Sequence, residues 1–146
     1  MSLDSLRKLR VRAQEAVTME LAQVTQELQR MERRCEMLEA QMRSDASDYQ
    51  AQTERGLAVE AMLEWQGCLN SRRTALRQTH EAIGNLTKAW TAVQARLVEA
   101  TQDLKVLDRL SERRQTARDT ERQRREQHMT DEAAGRLWDA SEKGEL

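Results

Sequence analysis

Between Met62 and Leu107, apolar side chains recur at strict sevenfold spacing: Met62, Leu69, Leu76, Ile83, Trp90, Leu97 and Leu104. Three residues after each comes a second stripe, Trp65, Arg72, Thr79, Leu86, Val93, Ala100 and Leu107, which completes the a/d seam of a heptad repeat. Arg72 and Thr79 alone interrupt it, and the sequence assigns Arg72 no role. A stripe this long on one helix needs a second apolar surface to cover it.

That surface is present in the first half of the chain. Leu21, Val24, Leu28, Met31, Cys35, Leu38 and Met42 alternate three and four apart. Upstream, Leu3, Leu6, Ala13 and Val17 extend the stripe, and the two steps of four from Ala13 through Val17 to Leu21 predict a stutter. From Ser44 to Leu57 the pattern weakens, with Asp45 at a seam position and Ser44, Ser47, Asp48, Thr53 and Gly56 offering turn chemistry. The heptad phase also slips across this stretch: Gly56 holds the a phase of the first seam, and Met62, the next a, follows six residues later. Gly56 is the natural C′ residue of the first helix.

These features predict an all-α fold, a long two-helix antiparallel coiled-coil hairpin with a projecting C-terminal helical extension. The expected organisation is a single coiled-coil domain over residues 1–146. Helix 1 covers about 3–50, the turn about 51–58, helix 2 about 59–130, and an acidic tail about 131–146. A fold at about residue 55 sets Leu3 and Leu6 opposite Leu107 and Leu104, and Met42 near Leu69. A helix of roughly 50 residues spans about 75 Å at 1.5 Å per residue.

Beyond Leu110 the seam stops while helix-forming residues continue. From Asp108 to Thr130 there are seven Arg and five acids, so this helix is polar on every side. The last segment reverses the bias, with five acids against Arg136 and Lys143, and carries Leu137 and Trp138 as its bulky apolar pair. A helix without an apolar stripe is either solvated or inserted into a partner that supplies the missing burial.

Composition agrees with long helices: 34% of residues are charged, Pro and Phe are absent, and Trp and Tyr number three and one. The formal net charge of -1 removes the simplest case for nucleic acid or an anionic membrane as partner. The charged opening and the lack of about 18 consecutive apolar residues predict a protein that stays in the cytoplasm.

Catalytic chemistry has no support. The chain lacks the phosphate-binding GxxxxGK[ST], HExxH and GxSxG patterns. Cys35 and Cys68 have no CxxC spacing, so no metal, cofactor or disulfide is expected. His80, beside the seam at an e-like position, and Cys35, at an a position, read as structural. His128 reads as solvated.

Against this background the C-terminal succession Leu107, Asp108, Arg109, Leu110, Ser111, Glu112, Arg113, Arg114, then Glu121, Glu126, Gln127, Asp131, Glu132, Ala133, Ala134 and Arg136, resembles the FliJ family. Trp65 and Gln66 early in the second helix extend the resemblance. These are components of the flagellar type III export apparatus, built as antiparallel coiled coils that resemble the central stalk of rotary ATPases. The YscO family of injectisomes is a close counterpart, and the opening Leu6, Arg7, Lys8, Leu9, Arg10, Val11 and Arg12, with Ala13 and Ala16, suits either.

The resemblance implies a non-enzymatic, monomeric stalk or adaptor that binds the hexameric export ATPase and couples it to the export gate membrane protein. It also implies an escort role for export chaperones and, at most, peripheral association with the inner-membrane export apparatus. Carried onto this chain, Glu112, Arg113, Glu121, Gln127, Asp131, Glu132 and Arg136 are the ATPase-facing residues, and Tyr49, Trp65 and Gln66 the hairpin-tip residues.

Two other readings compete. One is a generic coiled-coil dimer acting as a spacer; the other is a nucleic-acid-binding helix built on Arg109 to Arg125, which the five interspersed acids oppose. Light scattering separates hairpin from dimer. A self-covered hairpin has a solution mass of 16.9 kDa, and a stable mass of twice that favours the spacer.

Overall fold

The computed structural model describes residues 2–144 and contains two helices. α1 runs over Leu3–Arg55 and α2 over Val59–Glu142. They pack against each other as an antiparallel hairpin, with no strand among the described residues. α1 passes the point near residue 50 where its apolar pattern fades, and α2 passes residue 130 in the same way.

The turn is short because Gly56 takes φ 94°, a left-handed conformation that costs little without a Cβ. Its amide donates to the Thr53 carbonyl at 3.2 Å, closing the last turn of α1. Ala58 starts α2 by accepting from the Met62 amide at 3.0 Å. Gly144, at φ 72°, follows the end of α2.

The residues cluster into two compact units, Arg12–Ala100 and Met1–Val11 with Thr101–Leu146. In the first, the predicted seam is the protected line on both helices. Cys35, Thr79 and Val93 are its buried members, and Leu21, Val24, Leu28, Met31, Leu38, Met42, Met62, Leu69, Leu76, Ile83, Leu86, Trp90 and Leu97 are half-buried. So narrow an interior depends on the whole length of the seam.

Each polar interruption of the seam has a partner within the hairpin. Thr79, 4% exposed, turns its hydroxyl back to donate to the Ala75 carbonyl at 2.8 Å, so the helix itself absorbs the polar group. Arg72 reaches across to Asp45, and the two side chains are only 28% and 15% exposed. Arg72 Nε and Asp45 Oδ2 are both sealed from solvent and meet as an ion pair lacking hydrogen-bond alignment. A second arm of the guanidinium, Nη1, donates to Gln41 Oε1 at 2.6 Å. The residue without a role in the sequence is thus the counterpart of the acid that stands at the other helix's seam position.

This pairing corrects the register. Asp45 with Arg72, Thr25 with Trp90 (Nε1 donating to Oγ1 at 3.1 Å) and Glu20 with Arg96 (3.0 Å) are each equidistant from about residue 58, against the expected 55. The cause is that α1 continues through Ser44–Thr53: its polar residues remain helical once Asp45 has a partner. Upstream, Ala13 is exposed and Gln14 half-buried. The sevenfold phase of Leu21 and Val24 therefore continues to Gln14 and Val17, without a stutter at Ala13.

In the second unit, Leu3 and Leu6 of α1 and Leu104 and Leu107 of α2 are half-buried, and Arg7 Nε donates to Asp108 Oδ1 at 2.8 Å. Arg10 and Asp103 form a looser pair at 3.7 Å. A shallow concavity joins Ser2, Leu3 and Asp4 to Ser111, Arg114, Gln115 and Arg118. Leu3 therefore stands beside the turn that follows Leu110, and not opposite Leu107.

Urea titration tests this arrangement. Val93→Ala costs about 2 kcal/mol through lost burial and the cavity left behind. Asp45→Leu and Arg72→Leu each lower the midpoint by stranding one charge, whereas the double Leu variant recovers to the parental midpoint or above.

Candidate partner-binding surfaces

In the Arg12–Ala100 unit, the end next to the turn brings Tyr49 and Trp65 together. Their rings meet edge to face, with centroids 6.0 Å apart and planes at 63°. Trp65 Nε1 donates to Gln52 Oε1 at 3.0 Å, which fixes the indole against α1. Both aromatics are half-buried and so serve chiefly to close the hairpin. Gln66 faces solvent and does not join them. The apolar side chains offered to solvent here are Val59, 71% exposed, and Leu63, 61% exposed. They lie off the a/d positions and four residues apart on one helix face, which is the signal that could have found them.

In the other unit, α2 continues well beyond the last residue that borders α1. Arg, Glu, Gln and Ala dominate this segment and favour a helix intrinsically. A ladder of side-chain pairs along the surface supports it: Arg122 with Asp119 (3.3 Å), Arg124 and Arg125 with Glu121 (both 3.4 Å), His128 with Glu132 (3.2 Å) and Arg136 with Glu132 (3.9 Å). Gln127 Nε2 donates to Asp131 Oδ1 at 3.0 Å. Each such exposed contact contributes only about 0.2–0.5 kcal/mol, so the segment's helix is held mainly by continuity with the rest of α2.

Six of the seven predicted ATPase-facing residues are exposed: Glu112, Arg113, Gln127, Asp131, Glu132 and Arg136. Glu121 is half-covered by its two arginines. Glu112 and Arg113 have no ion-pair or hydrogen-bond partner among the described residues. Met129, Ala133 and Leu137, successive members of one helix face, form an apolar line with Trp138 at its edge. Met129, Leu137 and Trp138 are 68%, 61% and 70% exposed, an unusual concentration of apolar surface on so charged a helix.

The family model described as Flagellar FliJ protein matches residues 1–143, nearly the whole chain. The chain belongs to the FliJ family. It is therefore a component of the flagellar type III export machinery. No curated protein and no solved structure matches it. Among the described residues of this FliJ-family chain, no helix is long and apolar enough to cross a membrane.

One further constellation lies in the Arg12–Ala100 unit. Cys35 Sγ is 3.4 Å from His80 Nε2 across the seam and 3.5 Å from Glu39 Oε1 one turn along α1. His80 Nε2 and Glu39 Oε1 are 3.9 Å apart. Burial pushes the Cys35 thiol pKa up, and its hydrogen bond to Glu39 and the negative charges of Glu39 and Glu36 push it in the same direction. Because folding favours the protonated thiol, its contribution to stability is complete below the ordinary thiol range and is lost as pH rises through the raised value. Cys35 and His80 read singly as structural residues. In the FliJ-family hairpin they share one site, which the expected fold at residue 55 would have kept apart.

Proposed function

We propose that this FliJ-family chain is a non-enzymatic stalk that binds the hexameric export ATPase through the uncovered end of α2. One observation carries this reading: α2 runs on to Glu142, well past its last residue that borders α1, and its surface there combines paired charges with the exposed line Met129, Ala133, Leu137 and Trp138. A helix of that kind gains burial from a partner, with the apolar line as anchor and the charges as a polar rim. Glu121, Gln127, Asp131, Glu132 and Arg136 supply charged contacts from this segment, and Glu112 and Arg113 supply theirs from the stretch of α2 just before it.

The turn end of the Arg12–Ala100 unit, with Val59 and Leu63 exposed near Tyr49, Trp65 and Gln66, is assigned to the export gate. Escort of export chaperones is a further role of the same stalk, as the resemblance implies. The nucleic-acid reading is weaker, because Arg122, Arg124 and Arg125 already neutralise Asp119 and Glu121.

Pull-down with the cognate hexameric export ATPase tests the proposal. Truncation after Arg118 keeps every α2 residue that borders α1 and lowers affinity at least about tenfold, or roughly 1.4 kcal/mol. Trp138→Asp in the full-length chain weakens binding in the same direction. Equal binding by full-length and truncated chains removes the role assigned to this segment.

A further inference from the structure

The chain presents three different donor types, thiol, imidazole and carboxylate, at one point of the hairpin. All three donor atoms of Cys35, Glu39 and His80 lie within 4.8 Å of one another. Tetrahedral zinc with bonds of about 2.3 Å to sulfur and about 2.0–2.1 Å to nitrogen and oxygen needs donor separations of roughly 3.6 Å (S to N), 3.5 Å (S to O) and 3.3 Å (N to O). The observed separations are 3.4, 3.5 and 3.9 Å. We propose that Cys35, Glu39 and His80 form a three-ligand site for a zinc-class divalent cation, with water completing the tetrahedron.

The chemistry selects the class of ion. A thiolate with an imidazole favours borderline ions such as Zn²⁺ and Co²⁺ over Mg²⁺ or Ca²⁺, which take oxygen ligands. One thiolate and one carboxylate balance a divalent charge, so the complex is neutral where it meets the seam. Binding breaks the Cys35 S–H bond, releases the proton to solvent and forms a sulfur–metal bond. Burial is graded to suit entry: Cys35 is 9% exposed, whereas the Glu39 and His80 side chains are 44% and 58% exposed. The ion arrives from the open side and meets the thiol last.

The position gives such an ion a mechanical consequence. Cys35 and Glu39 belong to α1 and His80 to α2, so coordination staples the two helices midway along their shared seam. His128 with Glu132 is a poorer candidate, because it offers two donors on one exposed helix and no sulfur.

Co²⁺ titration of the full-length reduced chain tests the site. One equivalent saturates it, with a near-ultraviolet thiolate-to-cobalt charge-transfer band and visible bands of tetrahedral intensity, and Zn²⁺ displaces both. Cys35→Ser abolishes the charge-transfer band, and His80→Gln and Glu39→Gln each weaken binding by about tenfold or more. Cys68→Ser and His128→Gln leave the titration unchanged. As a readout independent of the variants, Zn²⁺ raises the melting temperature of the parental chain and a chelator reverses the rise. Lack of a one-equivalent endpoint, a charge-transfer band that survives Cys35→Ser, or unchanged affinity in His80→Gln overturns the proposal.

Discussion

The ion pair between Asp45 and Arg72 is the contact on which the hairpin's register depends. Each residue stands where its own helix wants an apolar side chain, and each is acceptable only opposite the other. Sliding either helix by one turn would set Asp45 against Leu69 or Leu76 and Arg72 against Met42 or Tyr49, at the cost of stranding an ion in a narrow apolar seam. A line of interchangeable apolar residues tolerates several alignments, whereas one matched polar pair singles one out. Gln41 tightens the choice by holding a second arm of the same guanidinium.

Register in turn places everything else in the Arg12–Ala100 unit. It brings the Trp90 indole to the Thr25 hydroxyl, the Trp65 indole to Gln52, and the Cys35 thiol to the His80 ring. With only Cys35, Thr79 and Val93 buried among the described residues, stability is distributed along the seam and no single cluster dominates. In the other unit, α2 residues beyond Arg118 border no residue of α1 and are held by their own side-chain ladder. That shortage of cover, together with membership of a flagellar export family, is the physical basis for assigning the segment to a partner.

Much of the fold was legible because heptad spacing is a long-range, redundant signal: the a/d residues from Met62 to Leu107 form an unexposed line, and Gly56 takes the left-handed turn position. Alignment was less legible, since Asp45 and Arg72 each read singly as a polar break in its own seam, and only the folded hairpin pairs them. An offset of about three residues in the centre of the fold was enough to hide the cluster of Cys35, Glu39 and His80. Near the turn, the family resemblance pointed to Tyr49, Trp65 and Gln66, while the exposed Val59 and Leu63 carry no signal in the repeat because they lie outside its a/d positions.

Amide hydrogen exchange along α2 addresses the central claim most directly, because protection reports which parts of a helix are held by packing. In the isolated chain, amides across the seam through Leu107 exchange slowly, protection falls away after Arg118, and addition of the hexameric export ATPase slows exchange over residues 119–142. Uniform protection to Glu142 in the isolated chain, or slowing by the ATPase confined to the end near Gly56, would contradict it.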